Sequence, residues 1–557
     1  MVIMKNWTKL DDAMDYFDIK PNRRVGDGGF YKFLEQNENS KRTFIDKPTA
    51  NALELRKLFM TIFPETITQT GNTTLAQSLL SPIRTPQEIR DKQEAVKELK
   101  ENKELASQIE KALEIATKYK ERESAYLMNS NEESSFSPKD NLIKTRELIS
   151  YLISSFKRVP HGESKYLYNA ISNIKSAHNS DIHKLSEGFI YRQGLNVPLH
   201  AKQLKLSPSL PIVASTAGIR PVEGALTGLM LYLGANLGNE LITGDFPIEM
   251  KIPYAFGSLC IAGITSLFKG ISESSLTIPP TLRKFRSDEN ARSIYKTIGT
   301  LDEILTLSKL ADNMENKGYD ISQPQILEGS SHKIKCENLV NITQGFEKPY
   351  TPTENIELDC SSEPLNFLTG PNSGGKTSSS KALILSQILS QMGSYIPATY
   401  AEITPADQIM YHVGMNDKQD DTEGGFGTQL IRTKNIIERA TPKSLVVIDD
   451  LIEGTSIDAI TKQTKRQYYA LHHTGANVLL VTHRYDIAKE FKENTSRGSY
   501  IQVEFKDDIP TRQIIPGISS DSRADLVAQR VGMNEDSIES ILRDRGYLSE
   551  GQSLYDV

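Results

Sequence analysis

The spacing of hydrophobic positions changes character near the middle of the chain. In the first half it is helical. Ile89, Ala95, Val96, Leu99, Leu105, Ile109, Leu113 and Ile115 recur near a 3.6-residue period between Gln87 and Leu127, among charges that form a solvated face. Asp140 to Phe156 and Lys165 to Phe189 predict further helices, whereas Asn129 to Lys139, rich in Asn, Ser and Glu, predicts a loop. Tyr191 to Pro211 has little periodicity. In the second half, short unbroken apolar runs take over. Leu365 to Thr369, Ser444 to Asp450 and Asn477 to His483 each read as a strand buried on both faces of a parallel sheet, and the last two end in polar pairs. Ser378 to Met392 predicts the helix that follows the first of them. The expected fold is therefore an α/β C-terminal domain with a mostly parallel sheet, preceded by a mainly α-helical domain.

Two stretches fit neither pattern. Gly224 to Asn239 and Ile252 to Phe268 contain no charged residue. At 16 or 17 residues each, they lie at or just below the length that spans a bilayer. Short and glycine-rich, they are expected to be buried helices at a dimer or domain interface. A membrane hairpin turning near Asp245-Phe246-Pro247 is the alternative.

Between the first apolar run and its helix stands Gly370-Pro371-Asn372-Ser373-Gly374-Gly375-Lys376-Thr377, which fits G-x-x-x-x-G-K-[ST]. Glycines allow backbone N–H groups to approach phosphates, and a helix N-terminus adds partial positive charge. The strand–loop–helix context is what this phosphate loop requires. Lys376 is then expected to reach the β- and γ-phosphates of ATP, and Thr377 to ligate Mg²⁺. Asp449 is expected in the Mg²⁺ shell. Asp450 would orient or deprotonate the attacking water, and His483 would sense the γ-phosphate.

Composition narrows the setting. The 557 residues suggest three or four domains, and a net charge of −6 gives no global basic field for nucleic acid. Cys260, Cys336 and Cys360 are widely separated, with no metal-ligand spacing and no disulfide framework, which suits a reducing, cytoplasmic setting. The nine histidines form no metal pattern either. Met1 to Leu10 has no apolar core of the kind a signal peptide needs.

Taken together, these motifs resemble the MutS ATPases of DNA mismatch repair. The resemblance rests on Pro371-Asn372 with the double glycine, on Gly393-Ser394-Tyr395-Ile396-Pro397-Ala398 after the helix, and on Asp449-Asp450-Leu451-Ile452-Glu453-Gly454-Thr455-Ser456. Thr482-His483 resembles the histidine switch of that family. Gly517 to Gly532, with Ser519, Ser522, Val527 and Ala528, resembles its C-terminal dimerisation segment. Gly71-Asn72-Thr73-Thr74-Leu75-Ala76 through Pro82, Pro86 and Glu98-Leu99 resembles the start of its helical core, and Leu301 to Pro324 the return of that core to the ATPase. The similarity covers residues 320–545 and, more loosely, 45–125 and 295–325.

The resemblance implies an ABC-like P-loop ATPase domain over residues 326–515. Ahead of it come an N-terminal segment over 1–44 and a helical lever over 45–325, with an atypical apolar insert at about 212–275. A helical dimerisation segment is implied over 516–557. It also implies a homodimer that couples ATP and Mg²⁺ to DNA, with Tyr350 of Lys348-Pro349-Tyr350 stacking on adenine and Thr428 reaching across the dimer. Three positions depart from the family pattern. Asp450 stands where glutamate is usual, about 1.5 Å farther from the water. Gly427 stands in place of the serine donated across the dimer, and Glu453 replaces a usually basic residue. Slow turnover is the expected result, since misplacement of this size can cost about a hundredfold.

Only about forty residues precede the core, too few for the family's mismatch-wedge and connector domains. No Phe-x-Glu wedge occurs there. Branched or structured DNA is therefore the expected partner rather than a mismatch. A nucleotide-gated scaffold with little DNA binding, membrane-associated through residues 224–268, is the second reading. That stretch lacks the Lys and Arg of a phosphate-gripping clamp.

Overall fold

The computed structural model describes residues 41–118, 138–180, 189–192, 195–198, 289–345, 354–371, 374–414, 424–449, 457–495, 497–506, 509–519, 528–529, 531–549 and 551–555. In chain order, strand β1 (Phe44–Ile45) leads into helices α1 (Lys47–Ala52), α2 (Leu55–Thr61), α3 (Gln69–Leu80), α4 (Pro86–Glu101), α5 (Lys103–Lys118), α6 (Pro138–Phe156) and α7 (Lys165–Ser176). A hairpin, β2 (Phe189–Arg192) and β3 (Leu195–Pro198), comes before the long α8 (Glu289–Asn316). The second half runs β4 (Gln325–Ile326), β5 (Lys333–Leu339), β6 (Glu354–Asp359), β7 (Leu365–Thr369), α9 (Lys376–Gln391), β8 (Tyr400–Ile403), β9 (Gln408–Val413) and α10 (Gly424–Arg439). It closes with β10 (Leu445–Asp449), α11 (Ile457–Thr474), β11 (Asn477–Thr482), α12 (Tyr485–Asn494), β12 (Gly498–Lys506), β13 (Ile509–Pro516) and α13 (Glu535–Asp544).

The helical part is organised around α8. Its side chains from Ala291 to Met314 are buried on several faces, against α3, α4, α5 and α7. A helix apolar on so many sides belongs in the middle of a bundle. Helix α4 starts at Pro86, where the missing N–H costs nothing, and presents Ile89, Val96 and Leu99 inward. It ends at Asn102, whose side chain accepts from Leu105 N at 3.0 Å and so starts α5. One buried charge pair crosses the bundle, from Lys92 Nζ to Glu303 Oε1 at 2.7 Å.

The main sheet has the order β1-β9-β10-β11-β7-β12-β13 and is parallel except for the last pair. Along β10, β11 and β7 every residue is buried. Alternate residues feed opposite faces, as the two-residue repeat of a strand dictates. Val447, Leu479 and Leu368 face α9 and join the core of the helical part. Val446, Leu480 and Phe367 pack under Tyr468, Leu471 and Phe491 of α11 and α12. A smaller sheet, β4-β8-β5-β6, lies beside it.

Several sequence expectations shift. The helical spacing over Gln87–Leu127 is carried by two helices broken at Asn102, within the described part of that range. The Lys165–Phe189 helix stops at Ser176 with one 3₁₀ turn after it, and Phe189 begins β2. The β2–β3 hairpin occupies part of the stretch that shows no periodicity. Helix α6 begins at Pro138, inside the expected loop. Residues 44–45 are a strand of the main sheet, paired in parallel with Gln408 and Ile409 of β9. Residues 224–268 lie outside the described part, and no described helix is long and apolar enough to cross a membrane.

Candidate functional site

The C-terminal ends of β10, β11 and β7 lie side by side, where ligands bind in open parallel sheets. Register aligns Asp449 with Val481, and Thr482 with Thr369. The chain leaves β7 at Gly370, which has φ +146°, and enters α9 through Gly375, which has φ +91°. Only glycine holds such angles readily. A Cβ at Gly370 or Gly374 would press on Val503 of β12 at 3.4 Å, so the loop lies close on its neighbour. A Cβ at Gly375 would meet nothing within 4 Å, which leaves open space at the N-terminus of α9.

Lys376 is buried at the first position of that helix. Its Nζ donates to Gly370 O at 2.8 Å and Pro371 O at 2.9 Å, and lies 3.2 Å from His483 Nε2. Thr377 is exposed on the next residue of the helix. Asp449, 5% exposed, accepts from the Tyr411 hydroxyl at 3.2 Å. Burial first, then the charge of Asp449, raise the Tyr411 phenol above its ordinary pKa and keep it a proton donor. The donor set suits a phosphate and a hard divalent cation: a buried ammonium, a helix N-terminus, a threonine hydroxyl and a strand-end carboxylate.

Gly370, Pro371, Gly374, Gly375, Lys376, Asp449 and His483 thus converge on one sheet edge. Thr428 lies in the early part of α10 and is partly buried. Asn372, Ser373, Tyr350 and Asp450 lie outside the described residues. Among the described residues no cluster of His, Cys, Asp and Glu forms a further metal site.

Sequence reasoning missed the support behind this edge. Arg432 of α10 makes a two-pronged buried ion pair with Asp46, and its Nη2 also reaches Thr49 Oγ1 at 2.9 Å and Tyr411 O at 3.2 Å. Asp46 also caps α1, accepting from Thr49 N at 2.9 Å. An aspartate two residues before Pro48 is a helix-start signal that was available in the sequence. Gln391, at the far end of α9, donates to Thr43 Oγ1, Ile83 O and Ala406 O and accepts from Ala406 N. Helix α9 is thereby tied to the segment that enters the helical bundle.

The class defined by this fold and edge is a mainly parallel α/β domain with a glycine-rich strand–loop–helix. Residues 366–541 match the MutS domain V family, the ATPase domain of MutS proteins. The DNA mismatch repair protein MutS of Methanosarcina acetivorans is 29% identical over 249 residues, covering 43% of this chain and 27% of that protein. Those of Methanosarcina mazei and Methanosarcina barkeri are each 29% identical, over 257 and 260 residues, covering 44% and 45% of this chain and 28% of each relative. The matched part therefore spans little more than a quarter of those relatives.

Proposed function

We propose that this chain is a Mg²⁺-dependent ATPase that couples its nucleotide state to a grip on DNA, working as a homodimer. The observation that carries the reading is Lys376, a buried ammonium folded into its own glycine-rich loop, with Asp449 and His483 on adjoining strand ends. Bound phosphate oxygens would replace the Gly370 and Pro371 carbonyls as acceptors for Lys376. The backbone of Gly370 to Gly375, including Asn372 and Ser373, would line the phosphates. Thr377 and Asp449 would hold Mg²⁺, which neutralises charge on the β- and γ-phosphate oxygens when bound. Asp450 would orient the water. His483, already in contact with Lys376, would report the loss of the γ-phosphate to α12. Tyr350 would stack on adenine, and Thr428 would complete the partner's site.

The names of the relatives support DNA as the partner, and we favour branched or structured DNA. The experiment is ATP binding and hydrolysis measured alone and with duplex, branched and single-stranded DNA. Slow hydrolysis that branched DNA alters most is expected. Nucleotide binding with no response to any DNA would replace DNA coupling with the scaffold reading. Absence of ATP binding would overturn the proposal.

A further inference from the structure

Tyr411 is one of the largest fully buried side chains described, yet its ring carries a hydroxyl aimed at a charged group. It lies on β9, next to β10 in the sheet, and its hydroxyl donates to Asp449 Oδ2 at 3.2 Å. One side chain on the neighbouring strand therefore reaches the strand-end carboxylate.

The backbone of Tyr411 is held as firmly as its ring. Its N–H donates to Thr49 Oγ1 at 2.9 Å, and its carbonyl accepts from Arg432 Nη2 at 3.2 Å. Thr49 and Arg432 are both locked to Asp46. We propose that Tyr411 is a positioning residue for the metal site, fixing the Asp449 carboxylate in the orientation that receives Mg²⁺. The proposal rests on the Mg²⁺–ATP reading above. A hydrogen bond to a ligating carboxylate sets its direction, and loss of such a partner typically weakens metal affinity about 10- to 100-fold.

Tyr411→Phe keeps the ring and its packing and removes only the hydroxyl. The test titrates ATP binding with Mg²⁺, and separately follows Mn²⁺ uptake by electron paramagnetic resonance, in full-length parent and variant. ATP binding in EDTA and the thermal midpoint serve as controls. The expected result is a metal midpoint raised about tenfold, with metal-free ATP binding and melting unchanged. If Tyr411→Phe does not fold, Thr49→Val releases the Tyr411 backbone instead and should shift the metal midpoint in the same direction. A metal midpoint equal to or below the parent's, in whichever variant folds, overturns the positioning role and leaves the ATPase reading intact. A parent that binds ATP identically with and without Mg²⁺ overturns both.

Discussion

Lys376 and His412 are both nitrogen bases taken out of water, and their surroundings differ. Lys376 is ringed by two carbonyls and an imidazole. His412, 4% exposed on β9, has no hydrogen-bond partner at Nε2 among the described residues. Lys376→Ala should abolish the charge that meets phosphate. ATP affinity is expected to fall by about a hundredfold or more, roughly 3 kcal/mol for a charge-assisted contact, while circular dichroism is unchanged. Unaltered affinity in the folded variant would remove Lys376 from the site. His412 and His332 are both held down to about 4, first by burial; the Arg432 charge adds to the effect at His412, and Asp46 opposes it. Both are neutral in the folded chain at pH 7. As pH falls from about 6.5 towards 4 the unfolded chain takes up protons that the folded chain refuses. Their stabilising contribution is complete above that window and is lost through it. His412→Leu removes one of the two groups, so its urea midpoint is expected to drop less between pH 7 and pH 5 than the parent's. Equal drops would show that His412 does not titrate in this way.

Elements meet here through a few close joints. Asp302 of α8 accepts from Ile67 N at 3.1 Å and from the Thr68 backbone and hydroxyl at 2.6 and 2.7 Å, while Thr68 caps α3 by accepting from Gly71 N. Gly71 permits that approach, because a Cβ there would lie 2.1 Å from Asp302 Oδ2. Gly71→Ala is expected to lower the thermal midpoint by several degrees, at about 2–4 °C per kcal/mol for a unit of this size, despite alanine's better helix propensity. A higher midpoint would mean that α8 shifts freely. The same joints explain which elements were legible in the sequence. Strands β7, β10 and β11 are read directly because burial on both faces demands an unbroken apolar run. In β5, burial alternates with exposure along Lys333–Leu339, and charged Lys and Glu occupy the outer positions. Its pattern is short and easily taken for loop. The glycine-rich loop is local in sequence, and its strand–loop–helix setting could be read there directly. Thr49 and Asp46 reach Tyr411 and Arg432 across 362 and 386 residues, so no local pattern announces those contacts.

At the scale of the molecule, the main sheet is assembled from both ends of the described chain. Strand β1 pairs with β9, and Asp46 neutralises Arg432, a residue of the opposite half. A fragment covering only residues 320–557 would lose that strand, the Asp46 partner of a buried guanidinium and the cover over the β9 edge. Breaking a buried ion pair from one side costs about 3–5 kcal/mol, and an uncovered edge strand invites association with other chains. Light scattering is expected to find the fragment aggregated where the full chain is not. A monodisperse fragment that melts with the full chain would show that β1 is dispensable. This long-range pairing also sets a timetable for synthesis. Thr43 hydrogen-bonds Ala406 O across 363 residues. At about 5–20 residues per second, a ribosome would leave Phe44 and Ile45 waiting roughly 20–70 s for their partner strand. Helices α1 to α8 all emerge within that interval and are available to shelter the β1 segment.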